Sequence, residues 1–476
     1  MKSQLSEFFQ QYGRLSVEFY GKGEITYEKS QKYPCNFGVI QLSNGKTYFA
    51  VDTNGTGTFT LKELDTKFNF RGITESGSIV TVQTRDVQFL IHESISSNII
   101  LVYLIRCFRV ETDSKKPIKR IHFGLTNFLF TGNNIPRDDL SLNLRDLPSI
   151  FIQRLPNYNE VTNRLNDKTS VEVTSELVIP LNNAEKIENI INISNEICFL
   201  LSICRGSKIF WIYYTCYDEQ GSFVYQHYCN LITRPLSDLP ELIISELPGV
   251  KSTKTFLEVA HITVSENSLL TKYLPKFSNV FVEARDGKGY LESRGVKIVV
   301  LMEMLVKYVL ENPYFGIKEY ILDPSTQKDT KKDIIDNCKE VINTQIRDLD
   351  DIRSSSRWNL PTADALNIQI RVFDSRLDLI NNLSSINRTP FRRLIVKLCE
   401  KINLEINETE IKRFVHSRNA LIHTGKYYSD PLVDKAVFEE YAFLVNFLDK
   451  VFLKLFNYSG EYNNFRKWGS SLEDNI

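Results

Sequence analysis

Near Pro248 the hydrophobic period of this chain changes, and that change limits the fold more than any other feature. Before it, short runs of β-branched and aromatic residues alternate with glycine-bearing turns. After it, apolar residues recur every three or four positions. A strand-rich front and a helical back make the chain α+β and multidomain. Its 476 residues allow two or three domains with ample core.

Residues 1–160 read as a β-rich N-terminal domain. Gly38–Leu42 and Thr47–Val51 follow a strand run at Tyr20–Tyr27 and join through Asn44-Gly45, a favoured hairpin turn. Gly72–Thr74 and Ile79–Val82 repeat the arrangement around Ser76-Gly77, and Asn98–Val110 and Ile118–Phe130 are longer runs. Short strands at this spacing predict a sandwich or barrel-like sheet. Residues 161–247 read as an αβ extension, with a strand at Ser170–Leu181, a helix at Ala184–Ile203 and a strand pair at Lys208–Tyr217 and Ser222–Leu231. Aromatic residues crowd that pair, among them Trp211, Tyr213, Tyr214, Tyr225 and Tyr228. On strands such rings are more often core and cross-strand partners than platforms for nucleic-acid bases.

Residues 248–476 read as a helical bundle. Helices are predicted at Arg294–Glu311, Lys331–Ile352, Ala363–Asn382, Thr389–Ile402, Glu408–Thr424 and Leu432–Phe456, with prolines near their ends. Arg294–Glu311 and Leu432–Phe456 are apolar nearly all round, which predicts a central position. The polar tail after Tyr458 is expected to fray.

Several function classes lose support. There is no glycine-rich phosphate loop, no H-E-x-x-H and no G-x-S-x-G elbow. The acidic residues form no set suited to two catalytic metals, so no metal or cofactor is expected. Eight cysteines occur without a C-x-x-C pair; Cys198, Cys204, Cys216 and Cys229 cluster, but core thiols fit their spacing better than zinc does. The amino terminus lacks a signal-peptide core, and Lys297–Leu310, the most apolar run, is broken by Glu303 and Lys307. A cytoplasmic protein with no membrane partner is expected.

Chemistry concentrates in the stretch Asn407–Lys426. Asn407 with Glu410 has the spacing of a capping box, and Gly425 supplies a stop. Ile411, Phe414, Val415, Leu421 and Ile422 share one side of the helix between them. Arg418 falls inside that apolar stripe, where a guanidinium without a partner is costly, so an acceptor on a neighbouring helix is predicted. Glu303 is the best candidate, being the one charge between Lys297 and Lys307. His423 lies about 140° further round, beside Asn419 and His416. From Ser384 to Tyr428 there are nine basic residues against four acidic ones, the sign a phosphate backbone needs, although a solvated surface face is the commoner source of such an excess.

Arg418-Asn419-Ala420-Leu421-Ile422-His423 resembles the R-N-x-x-x-H signature of the HEPN superfamily, whose members are paired helical bundles and often metal-independent endoribonucleases. Arg85 and His92 fit a looser gap but lie among strand-like segments. The layout also resembles the ApeA-type single-chain anti-phage HEPN proteins. The resemblance implies an HEPN-like fold for residues 248–476, with Arg418, Asn419 and His423 as the catalytic set. Glu303, as the acidic residue of an early helix, and His416 would support them. Lys412, Arg413, Lys426, Arg392 and Arg393 would contact RNA. Histidine can move protons near neutral pH, and arginine can hold two phosphate oxygens. Attack by the 2′-OH would leave 2′,3′-cyclic phosphate and 5′-OH ends. The implied partners are an RNA substrate (tRNA is one candidate), a second copy in a homodimer or an assembly of dimers, and a phage-derived trigger in abortive infection. The alternative is a non-catalytic HEPN-type RNA- or nucleotide-binding or adaptor protein.

Overall fold

The computed structural model describes residues 9–10, 14–26, 32–43, 45–52, 68–83, 88–95, 98–112, 116–130, 139–145, 147–166, 172–182, 186–229, 243–244, 251–286, 290–318, scattered positions within 329–351, 389–427, 434–464 and 473–475. The fold is α+β, with a large antiparallel sheet in the N-terminal half and helices in the C-terminal half. Two compact units divide it: Met1–Met304 with His416–Ile476, and Leu305–Val415.

In the first unit the strands are β1 (Leu15–Thr26), β2 (Lys32–Leu42), β3 (Thr47–Asp52), β4 (Asn69–Thr74), β5 (Ile79–Gln83), β6 (Gln88–Ile95) and β7 (Asn98–Leu104). They continue as β8 (Cys107–Glu111), β9 (Arg120–Thr126), β10 (Asp139–Leu142), β11 (Ile150–Arg154), β12 (Val173–Pro180), β13 (Trp211–Tyr217) and β14 (Phe223–Cys229). All fourteen belong to one sheet, ordered β10-β11-β12-β9-β13-β14-β8-β5-β4-β1-β2-β3-β7-β6. Alternation decides the inner face: in β4, Phe70, Gly72 and Thr74 are buried between exposed neighbours. Gly72 is required there, since a Cβ would stand 2.5 Å from the Phe37 ring. Gly45 and Gly77, at φ +82° and +86°, close the two expected turns.

The sheet curls back on itself. Buried Gln41 of β2 donates from Nε2 to the carbonyls of Ile212 (3.4 Å) and Cys229 (3.0 Å), on strands six and five places away in the order. Phe19 of β1 likewise meets the rings of Phe108 and Tyr228, with both centroids 6.0 Å away. The enclosed cluster holds Phe37, Phe49, Phe70, Val80, Phe108 and Val110. This is a barrel-like arrangement. The segment 161–247 is woven into it: β9 pairs with both β12 and β13, and β14 pairs with β8.

Helix α1 (Tyr158–Asn166) is followed by α2 (Ile187–Arg205), which anchors the helices to the sheet. Trp211 Nε1 donates to Asn195 Oδ1 at 2.9 Å, and Ser202 Oγ donates to the Ile209 carbonyl at 3.0 Å. By length and composition α2, rather than Lys297–Leu310, could cross a membrane, but half of that stretch is buried within the protein. On its other side come α3 (Lys251–Ser265) and α4 (Ser268–Arg285), joined to it by His261 Nδ1–Glu196 Oε1 at 2.6 Å and Ser278 Oγ–Phe199 O at 3.1 Å. The sequence pattern did not resolve these two helices, and Pro275 inside α4 is one reason.

Helices α5 (Leu291–Glu311), α6 (Phe391–Lys401), α7 (Glu408–Thr424) and α8 (Asp434–Leu455) follow. From Tyr441 to Leu448 α8 is buried on every side, and its Phe452 packs on Phe277 and Phe281 of α4. The expectation of a central α5 needs correcting, because Val296 and Val300 leave an apolar strip exposed. At its described residues the tail is not frayed as expected: Tyr462 is buried, and β15 (Glu461–Asn463) pairs with β16 (Glu473–Asn475). A bridge between Ile244 and Tyr462 ties that hairpin down.

The second unit contains the end of α5, α6 and the first half of α7. Phe391 stacks on Phe414 at 6.4 Å, and Leu394, Leu398 and Ile411 are buried. The predicted helix Ala363–Asn382 lies outside the described residues, as does most of Lys331–Ile352, whose described positions are helical. Arg85 and Cys338 also lie outside them.

Candidate functional site

Helix α7 begins and ends where its sequence dictates. Asn407 Oδ1 accepts the Glu410 backbone N–H at 2.8 Å, and Gly425, at φ +68°, takes the left-handed position that ends it. The buried seam along the helix is Ile411, Phe414, Ser417 and Leu421. Ser417 is therefore the residue inside the stripe. Its hydroxyl donates to Glu440 of α8, a buried carboxylate, which satisfies both groups. Ile422, assigned to the stripe from its spacing, is exposed.

Arg418 consequently lies on the flank of the seam. Its side chain is 21% exposed, and that of Glu303 is 45% exposed, which corrects the expectation of a buried pair. The pair itself is present. Nε donates to Glu303 Oε1 at 3.0 Å, Nη2 donates to the same oxygen, and Nη1 donates to Asn419 Oδ1 at 2.9 Å. The guanidinium is thus fixed in direction by a carboxylate from α5 and by the amide of the next residue in α7.

Gly295 sets the approach of α5 to α7. A Cβ there would come within 2.8 Å of both Leu421 Cδ2 and the Tyr427 hydroxyl. Tyr427 reaches past it to donate to the Leu291 carbonyl at 2.8 Å. Sequence reasoning missed Gly295, Ser417, Tyr427 and Glu440. The one available signal was a glycine inside a strongly helical run.

His416, Asn419 and His423 are exposed. At about 100° per residue they fall on one stripe of the helix, with Asn419 lying between the imidazoles and Arg418. Among the described residues the His423 side chain makes no hydrogen bond or ion pair. Comparison with protein-family models, with curated proteins and with solved structures gives no match.

The residues assigned to RNA contact are divided between the two units. Lys426 is exposed just after α7 in the first unit. Arg392, Arg393, Lys412 and Arg413 belong to the second unit and are also exposed. There Lys412 and Arg392 converge on Glu408, at 3.2 and 2.5 Å, and hold its carboxyl below the usual range. Lys397 is paired with Glu400 at 2.6 Å. The basic excess of this stretch is therefore partly compensated by its own carboxylates.

The four clustered cysteines sit at separate places in the sheet and α2. Cys198 and Cys204 are buried on α2, Cys216 is buried on β13, and Cys229 is half-buried at the end of β14. Burial pushes the Cys216 thiol up to about 11.

Proposed function

We propose that the protein is a metal-independent endoribonuclease of HEPN type, acting as a pair of chains. The observation that carries this reading is the preset guanidinium of Arg418, bonded to Asn419, with two exposed imidazoles on the far side of Asn419 on the same helix. Arg418 would stabilise the charge that builds on the phosphate during attack by the 2′-OH. His423 would move the proton, and Asn419 would orient the phosphate or the imidazole. One imidazole cannot act as acid and base in a single step. Arg418 and His423 also point about 140° apart on one helix, so a second copy would complete the site. The exposed Val296, Val300 and Ile422 give that pairing an apolar surface on the same two helices. Within a cell, cleavage triggered by phage infection would halt growth.

The test is to incubate the purified protein with RNA in EDTA and to map the new ends. Cleavage that leaves 2′,3′-cyclic phosphate and 5′-OH ends, spares DNA and falls on the order of 10²–10⁴-fold in His423→Ala is expected. Cleavage that needs magnesium rejects the mechanism. RNA or nucleotide binding without cleavage points instead to the adaptor reading. Unchanged phage plating on cells expressing the intact chain rejects the defensive role.

A further inference from the structure

Cys107 and Cys229 are direct cross-strand partners on β8 and β14. The ladder fixes their relation further. Thr112 N donates to the Val224 carbonyl at 3.1 Å, and those two residues occupy opposed positions in the same register, so theirs is a hydrogen-bonded pair. Hydrogen-bonded and non-hydrogen-bonded pairs alternate along an antiparallel ladder, and five steps separate Thr112 from Cys107. Cys107 and Cys229 therefore form a non-hydrogen-bonded pair. In such pairs the Cα atoms stand about 4.5 Å apart with side chains close, inside the range of about 4.4–6.8 Å that a disulfide spans. Both thiols are free and half-buried, hence within reach of a small oxidant.

We propose that Cys107 and Cys229 are a paired oxidation site that closes to a disulfide in the presence of a peroxide. One thiolate attacks hydrogen peroxide, giving a sulfenic acid and hydroxide. The second thiol then displaces the sulfenic oxygen as water. Two thiols and one peroxide thus become one disulfide and two waters. The bond would fasten β8 to β14 at the end where Gln41 reaches the Cys229 carbonyl, which is where the curled sheet closes. Burial raises both thiols, Cys229 to about 12, while Arg106 draws them down in part. Thiolate is therefore scarce near neutral pH, and closure accelerates as pH rises.

The reduced full-length chain is treated with hydrogen peroxide at pH 7 and pH 9, alkylated and peptide-mapped under non-reducing conditions. Two of the eight thiols should be lost together. A peptide joining Cys107 to Cys229 should appear faster at pH 9 and vanish with dithiothreitol. Cys107→Ser and Cys229→Ser should each abolish that peptide, and Cys216→Ala should retain it. On the unaltered chain, both thiols remaining alkylatable, either one linked elsewhere, or oxidation stopping at a sulfinic acid would each overturn the proposal. This outcome is independent of whether the chain cleaves RNA.

Discussion

Two of the arginine–carboxylate pairs that join helices in the C-terminal half, Arg285–Asp449 and Arg418–Glu303, differ in what surrounds them. Arg285 of α4 donates from Nη1 to both oxygens of Asp449 in α8, at 2.6 and 2.8 Å, with side chains 7% and 0% exposed. Arg418 and Glu303 make a comparable set of bonds with water at hand. In the first pair the low dielectric makes each charge depend on the other, and burial raises the Asp449 carboxyl above its ordinary value. That pair fastens α4 to the bundle core. The second pair loses little if it opens, so its value lies in the direction it gives a guanidinium that solvent, or an anion, can reach.

The sharpest way to break this contrast is Asp449→Asn. Removing one partner of a buried pair leaves a desolvated charge facing a neutral group, at a cost of about 3–5 kcal/mol. Urea denaturation should show that loss. A loss under about 1 kcal/mol would mean that water enters the α4–α8 contact and that the two pairs are alike.

Gly295→Ala comes next and tests whether the seam between α5 and α7 is rigid. Propensity alone favours alanine in a helix by about 1 kcal/mol. The added methyl meets Leu421 and the Tyr427 hydroxyl at 2.8 Å, and overpacking of this kind costs about 1–3 kcal/mol. A net destabilisation is expected in thermal denaturation, and under the proposed function lower RNA cleavage should accompany it, from a displaced Glu303. A stabilised and fully active variant would show that the helix ends yield and that Glu303 needs no fixed placement.

These contrasts also mark what could be read from the chain. Local rules were legible: the Asn407 cap, the Gly425 stop and the glycine turns at 45 and 77 all follow from backbone conformation. The aromatic crowding on β13 and β14 also resolved as core, since Tyr214, Tyr225 and Tyr228 are buried. Strand order was not legible. Pairing β9 with strands some fifty and ninety residues later depends on register across the whole sheet, which no local period encodes. Depth on a helix was only half legible. Ser417 and Arg418 both lie at helical spacing from Phe414 and Leu421, so the reading that put Arg418 inside the stripe applied equally to Ser417. The deciding group was Glu440, which accepts from serine at the seam and leaves arginine at its flank.

The smallest expected effect on stability is the most informative about the site. Because both side chains of the Arg418–Glu303 pair are in contact with solvent, Arg418→Met and Glu303→Gln should each change the unfolding free energy by less than about 1 kcal/mol. Coupling in a double-mutant cycle should be equally small. Under the proposed function, RNA cleavage should separate the two variants from a merely structural account. Arg418→Met removes the cation and should abolish cleavage, whereas Glu303→Gln retains an acceptor for Nε and should reduce it only in part. Repeating the cycle across protein concentration adds a further arm. If the chain pairs through α5 and α7, the coupling energy should rise toward the buried value as copies associate and water is excluded from Arg418. Coupling that stays small at every concentration, with Arg418→Met fully active, would leave this arginine as a surface ion pair and remove the chemical reading of α7.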